Sequence, residues 1–231
     1  MSTTRSSKRY EKNMMTLSPE ENEKLATFKV FVAGCGGLGG YVIEELARLG
    51  IGHITAADGD VFEESNLNRQ LLSSVALLGK SKAEAAKQRM LAVNPDVEVT
   101  PIHIMLDDDN CPELIRGHDL VIDALDNMGA RKVVEKACEK EGIPMVHGAI
   151  AGWYGQVSAI FPGDRIMEKL YPTDEQKGME VQLGNPSFTP AVVASIEVAE
   201  GLKILLGRGN ILRNKLLSIN LLDHEYEIFE L

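Results

Sequence analysis

Five short stretches of this 231-residue chain carry residue types suited to holding a phosphate chain. The first is Val30-Phe31-Val32-Ala33-Gly34-Cys35-Gly36-Gly37-Leu38-Gly39, an apolar run that stops in glycines. Gly34, Gly36 and Gly39 have G-x-G-x-x-G spacing, with Gly37 between them. Lacking Cβ atoms, such a turn lets backbone N–H groups approach a phosphate, and the helix start beyond it attracts negative charge. Asp58-Gly59-Asp60 follows where an acidic residue usually meets a ribose. Asn66, Arg69 and Gln70 lie in Ser65-Asn66-Leu67-Asn68-Arg69-Gln70, Lys80 and Lys82 in Gly79-Lys80-Ser81-Lys82, and Asp126 in Asp123-Ala124-Leu125-Asp126-Asn127.

Each feature also has an ordinary explanation. A glycine turn can serve packing, a surface lysine is usually just solvated, and an Asp or Asn before a helix is commonly its cap. The set discriminates better than its members. Hydride transfer to a dinucleotide uses the turn and Asp58 but has no need of clustered cations and a free carboxylate. Nucleotidyl transfer needs both, because attack by a carboxylate on the α-phosphate of ATP brings two anions together and expels pyrophosphate. Arg69 and Lys82 would neutralise that charge, and Asp126 would hold Mg²⁺, which favours one or two carboxylates plus substrate phosphates. Lys82 is the most pointed choice: a cation at a helix start opposes the helix dipole by roughly 0.3–1 kcal/mol unless an anion is near.

Alternating strand and helix signals would bring these stretches together. A strand over 28–34 enters the glycine turn, and the helix after it runs to Leu49 with Leu38, Val42, Leu46 and Leu49 on its core face, ending at Gly50. Residues 51–57 form the next strand. Ser81 and Glu84 make a capping-box pattern for a helix with Ala83, Ala86, Met90 and Val93 inward, closed by Asn94-Pro95. Strands over 97–104, 120–125 and 143–148 alternate with helices near 112–116 and 129–141. In a parallel sheet the glycine turn, Asp58 and Asp126 then all lie at strand carboxyl ends, where open α/β sheets bind ligands. Upstream, Ser18-Pro19 with Glu21 starts a further helix. Beyond 148 the rhythm changes to a strand over 155–161, a long mobile loop over 163–187, a helix over 190–206, and a terminal hairpin of 215–221 with 225–231. The expected fold is a single α/β domain, Rossmann-like, with a mostly parallel sheet covered on both faces, an antiparallel carboxyl-terminal part and a flexible tail over 1–8.

Composition narrows the classes of function. The formal net charge of -10, from 24 basic and 34 acidic residues, opposes a general nucleic-acid or anionic-membrane surface. No apolar run spans a bilayer and no secretory leader opens the chain, so a cytoplasmic location is expected. Cys35, Cys111 and Cys138 form no C-x-x-C pair, and the 5 histidines are scattered, so neither zinc nor a disulfide framework is expected.

Taken in order and at these spacings, the five stretches resemble the ThiF/MoeB/HesA superfamily, bacterial relatives of ubiquitin-activating enzymes, from about Arg9 to the end. The resemblance implies a homodimeric adenylyltransferase that uses MgATP to activate the carboxyl-terminal glycine of a small ubiquitin-like sulfur carrier of the ThiS or MoaD kind. By motif, Gly34, Gly36, Gly37 and Gly39 would wrap the nucleotide and Asp58 and Asp60 would lie at the ribose. Asn66, Arg69, Gln70 and Lys82 would line the phosphates, with Asp126 on Mg²⁺. The carrier's own carboxylate would be the nucleophile. Three departures mark a short variant. Its cysteines make no zinc site, residues 163–187 hold no cysteine for linkage to a carrier, and the family's Arg-Tyr-x-Arg-Gln appears as Arg9-Tyr10-Glu11-Lys12-Asn13. Lys12 would reach the neighbouring subunit's ATP with charge but without the guanidinium fork. Cys35 reads as packing. An NAD(P)-dependent oxidoreductase, and adenylation of another substrate such as a tRNA-borne carboxylate, are the alternatives.

Overall fold

The computed structural model describes residues 8–172 and 180–231. The expected tail, apart from Lys8, and residues 173–179 of the expected loop lie outside the described residues.

Strand β1 (Lys29–Ala33) has four consecutive residues, Val30 to Ala33, wholly removed from solvent. A central parallel strand covered on both faces needs that unbroken apolar run. It pairs in parallel with β2 (His53–Ala57) on one side and β4 (Leu120–Asp123) on the other. Outward from these lie β3 (Glu98–Ile102) beside β2 and β5 (Met145–Ala151) beside β4, both parallel. Three antiparallel strands complete the sheet: β6 (Tyr154–Ile160), β7 (Lys215–Asn220) and β8 (Glu225–Glu230). The order is β3-β2-β1-β4-β5-β6-β7-β8. All of β8 is exposed, and Glu225, Glu227 and Glu230 place charge on this outer edge, a common defence against edge-to-edge pairing.

The helices are α1 (Pro19–Leu25), α2 (Gly37–Leu49), α3 (Lys82–Val93), α4 (Cys111–Ile115), α5 (Met128–Glu141), α6 (Ile166–Leu170), α7 (Glu180–Leu183) and α8 (Phe188–Leu206). Leu38, Val42 and Leu46 of α2, Ala83, Ala86 and Met90 of α3, and Val193, Ala194 and Val198 of α8 share one core. Cys111 and Ile115 of α4, Val134, Ala137 and Cys138 of α5, and Ile166 and Met167 of α6 share the core on the opposite face. Full burial of one such leucine, isoleucine or phenylalanine contributes about 1.5–3 kcal/mol. The capping box of α1 forms in full, with the Glu21 N–H on Ser18 Oγ at 3.1 Å and the Ser18 N–H on Glu21 Oε2 at 2.8 Å. That of α3 forms by half: Ser81 Oγ accepts from the Glu84 N–H, without a return bond. Gly50 ends α2 at φ 93°.

Two expectations are corrected. Strand β5 does not end at Gly148 but continues to Ala151, because it turns through Gly152 and Trp153 into its antiparallel partner β6. The segment 163–187 is not a featureless loop: it holds α6, whose Ile166 and Met167 are fully buried, and α7.

Gly148 has a separate reason to be glycine. A Cβ there would lie 2.3 Å from the carboxyl carbon of Glu197 of α8. Glu197 is fully buried and neither of its oxygens has a hydrogen-bond partner among the described residues. Burial pushes its carboxyl well above the usual carboxylate range, with Asp123 adding to the rise. The folded protein therefore keeps a proton that the unfolded chain releases above about pH 4.5, and stability falls as pH rises from there toward the folded-state value. The slope is at most about 1.4 kcal/mol per pH unit for one proton. Urea unfolding at pH 6 and pH 8 should show wild type losing stability more steeply than Glu197→Gln; equal slopes would contradict this.

Candidate nucleotide site

The three expected strand ends meet. Gly34, at φ 96°, gives its N–H to the Ala57 carbonyl at 2.8 Å, and a Cβ on it would come within 2.7 Å of the Ala124 carbonyl oxygen. The turn is thus pressed between the end of β2 and the loop that carries Asp126. Asp58 ties the second connection: its Oδ2 accepts from the Cys35 N–H at 2.7 Å and its Oδ1 from the Asp60 N–H at 2.8 Å. Burial pushes the Asp58 carboxyl upward, opposed by Lys82 and these two backbone donors. Each oxygen keeps a lone pair, so the carboxylate can still accept from a ribose hydroxyl.

The polar loop after β2 supplies the donors. Arg69 gives Nη1 to the Ser65 carbonyl and to Asn68 Oδ1, both at 2.9 Å. Its Cγ and Nε lie 3.9 Å from where a Cβ on Gly37 would be, so the side chain crosses the glycine turn. No described carboxylate pairs with it. Gln70 is buried beside Gly36, 3.4 Å from where its Cβ would be, and Gln70 Oε1 has no partner among the described residues. A buried orphan acceptor against a glycine turn fits a ligand that brings its own donor. Asn66, also buried, uses its Oδ1 to accept from the Glu63 N–H at 3.0 Å, and so shapes the loop as well as offering an amide.

Lys82 is the first residue of α3 and is only 7% exposed. Its Nζ lies 2.9 Å from Asp60 Oδ2. Asp60 is therefore this cation's immediate partner and accounts for a positive charge at the helix start without any ligand. Lys80 is exposed. Asp126 is exposed too, and no described side chain bonds it, while Asn127 takes the capping role through its Oδ1, 3.0 Å from the Ala130 N–H. No group of three or more metal-ligating side chains exists among the described residues. One free carboxylate beside a phosphate-binding turn fits an ion whose other ligands come from substrate phosphates and water.

Lys12 is not brought to this site within its own subunit. It sits on the 3₁₀ turn Glu11–Asn13, and neighbouring Tyr10 receives Asn94 Nδ2 at 2.8 Å, the same amide that bonds the Ala47 carbonyl at 2.6 Å. Those contacts fix the segment near the far end of α2, about 15 Å along that helix from the glycine turn. Cys35 is fully buried, and burial together with Asp58 raises its thiol well above the ordinary range, which keeps it protonated and poorly nucleophilic.

A buried cluster behind Asp126 has no counterpart in the expectations from sequence. His147 gives Nδ1–H to Asp123 Oδ2 at 2.7 Å, leaving Nε2 to accept from the Tyr171 hydroxyl at 3.1 Å. That hydroxyl accepts from Arg131 Nη1 at 2.8 Å and Gln156 Nε2 at 2.7 Å. Scattered along the chain, these side chains show no local pattern; the one trace is an Arg early in the helix that Asn127 caps.

A Rossmann-like sheet carries at its carboxyl edge a glycine turn, the Asp58 carboxylate tied to it, an arginine with no described carboxylate partner and an exposed aspartate, an arrangement suited to a nucleotide. The chain belongs to the ThiF family, whose model matches residues 10–231. It is 36% identical over 217 residues to the SAMP-activating enzyme E1 of Haloferax volcanii, covering 93% of this chain and 80% of that one. Similarity to the sulfur carrier protein adenylyltransferase of Thermus thermophilus is also 36% over 230 residues, covering 94% and 84%. With the molybdopterin-synthase adenylyltransferase of Escherichia coli it shares 33% over 192 residues, covering 81% and 76%. Among solved structures, E. coli MccB with AMPCPP and MccA superimposes with a TM-score of 0.82 at 25% identity, over 98% of this chain and 71% of that one. No helix among the described residues is long and apolar enough to cross a membrane.

Proposed function

We propose that this protein is an ATP-dependent adenylyltransferase that activates the carboxyl-terminal glycine of a small ubiquitin-like sulfur carrier. A carrier carboxylate oxygen attacks the α-phosphorus of ATP, the bond from that phosphorus to the bridging oxygen of the β-phosphate breaks, and pyrophosphate leaves with the acyl-adenylate remaining. The observation that carries this reading is Arg69, lying across Gly37 with no carboxylate partner among the described residues. Family membership and three relatives named for carrier or molybdopterin-synthase activation support it.

In this reading the glycine turn holds the triphosphate and Asp58 the ribose. Arg69 and Lys82 neutralise charge on the phosphates, with the Asn66 amide and the Gln70 Nε2 that faces Gly36 as neutral donors and Asp60 aligning Lys82. Mg²⁺, held by Asp126 and the phosphates, would supply further neutralisation of the developing charge. No general base is required, since the carboxylate arrives ionised. The protein acts in the cytoplasm as a homodimer in which Lys12 reaches the partner's nucleotide, a role its distance from its own site allows. Nucleic acid has no place in this reading, consistent with the net charge of -10.

The assay is ATP–pyrophosphate exchange with carriers ending in Gly-Gly and with the same carriers lacking the last glycine. Exchange is expected only with the intact tail and unchanged by NAD. ATP binding without exchange for any Gly-Gly carrier, or nucleotide-dependent hydride transfer instead, would overturn the reading.

A further inference from the structure

Among residues 124–127, every member except Asp126 is held by its neighbours. The Ala124 N–H bonds the Ala33 carbonyl at 2.9 Å, the Leu125 N–H bonds Asp123 Oδ1 at 3.1 Å, and Asn127 caps α5. The carbonyl immediately before Asp126, that of Leu125, accepts two bonds from one guanidinium: Arg131 Nε at 3.2 Å and Nη2 at 2.6 Å. Arg131 is 7% exposed, and its own N–H closes the first turn of the helix on the Asn127 carbonyl at 3.1 Å. Its remaining arm, Nη1, reaches the Tyr171 hydroxyl, with the guanidinium carbon 5.4 Å from the tyrosine ring centre. Through Tyr171, His147 and Asp123 the bonds return to Leu125, forming a closed ring, and the exposed carboxylate of Asp126, which no described side chain bonds, follows Leu125 directly.

Capping α5 does not need this ring, since Asn127 performs that task alone. A buried guanidinium that spends two of its arms on one carbonyl fixes the peptide on which Asp126 hangs. Tyr171, at the end of α6, sets the orientation of that guanidinium from the other side. We propose that Arg131 is the positioning residue for Asp126, with Tyr171 as its support, so that together they determine how well Mg²⁺ is bound beside the nucleotide. The proposal rests on the adenylation reading only in giving Asp126 the metal.

Arg131→Lys keeps the charge and one bond but loses the two-pronged hold, and Tyr171→Phe removes the hydroxyl alone. Calorimetric titration of ATP with the full chain, in Mg²⁺ and in EDTA, reads the proposal without catalysis. Arg131→Lys should weaken ATP binding about tenfold in Mg²⁺, the size seen when outer-shell partners of a metal ligand are removed, and leave binding in EDTA within about twofold. Tyr171→Phe should act in the same direction by a smaller factor, and it stands as the test if Arg131→Lys folds poorly. In exchange assays the Mg²⁺ concentration giving half-maximal rate should rise about tenfold in Arg131→Lys while the rate at saturating Mg²⁺ changes much less. Equal losses in Mg²⁺ and EDTA, or wild-type Mg²⁺ dependence in both variants, would overturn the proposal. A wild type that binds MgATP yet exchanges with no carrier would instead overturn the function proposed above and leave the calorimetric comparison standing.

Discussion

Replacing Lys82 with alanine is expected to lower ATP–pyrophosphate exchange by about 10²- to 10³-fold, the range for removing one preorganised charge donor from a transition state. The ammonium is already in place at the head of α3, aligned by Asp60 at 2.9 Å and largely shielded from water at 7% exposure, so little reorganisation opposes its use. Shielding strengthens its effect on phosphate charge relative to a solvated lysine. The fold should tolerate the change, because the Asp60 carboxylate left behind is 56% exposed and can be hydrated. Asp126→Ala should produce a comparable loss of exchange, and its exposed, unbonded side chain likewise leaves the fold intact. Initial rates at saturating carrier, with melting temperatures measured alongside, check both. A loss below about threefold in a normally folded variant would remove that residue from the phosphate site.

Gly39→Ala is expected to have the largest effect on the fold, a destabilisation of about 3 kcal/mol or more, placing it among the severe single substitutions. A Cβ at Gly39 would lie 1.8 Å from the Gly34 carbonyl oxygen and 2.7 Å from its carbon. No rotamer relieves such an overlap, because both partners are backbone, so α2 would have to lift from the turn that starts it. The Ala124 methyl, 3.3 Å away on the other side, blocks a sideways shift. Gly36 gives the contrast. Its nearest neighbour would be Gln70 Nε2 at 3.4 Å, an ordinary contact with the end of a flexible side chain. Gly36→Ala should therefore lower the urea midpoint much less than Gly39→Ala while weakening ATP binding, since a methyl would occupy the surface a phosphate approaches. Urea unfolding and nucleotide titration of the two variants separate these roles. If Gly39→Ala keeps the wild-type midpoint, the close packing of α2 on the turn is wrong.

The parts of the fold legible in the sequence are those decided by neighbours along the chain. Val30 to Ala33 had to be a central strand because all four are apolar, and Gly34 to Gly39 had to be a turn into a helix because glycines interrupt that run. Ser18, Ser81 and Asn127 mark helix starts through bonds to residues three positions on. Distant partners hid the rest. Strand β5 runs past Gly148 because it pairs with β6, and Gly148 itself answers to the Glu197 carboxyl on α8. Helix α6 spans only five residues, too few to show a period, and it is fixed by burying Ile166 and Met167 against α5.

The candidate site divides in the same way. Its elements were visible as motifs, and the contacts of Gly34 with Ala124 and of Cys35 with Asp58 bring three of them together as strand ends in a parallel sheet should. The partners of its charges were not visible. A lysine at a helix start suggested a bound anion, yet its first partner is Asp60, from the loop after β2. Arg131 and Tyr171 were missed because their geometry depends on residues 40 positions apart meeting behind one carbonyl.

The central claim is that a carrier's terminal carboxylate becomes joined to AMP on this protein. The direct measurement is the intact mass of a Gly-Gly carrier after incubation with the protein, ATP and Mg²⁺ followed by acid quenching. The carrier should gain the mass of AMP less one water, with pyrophosphate released in equal amount and no gain when the final glycine is removed. A carrier of unchanged mass in the presence of folded, ATP-binding protein, repeated across Gly-Gly carriers, would contradict the account.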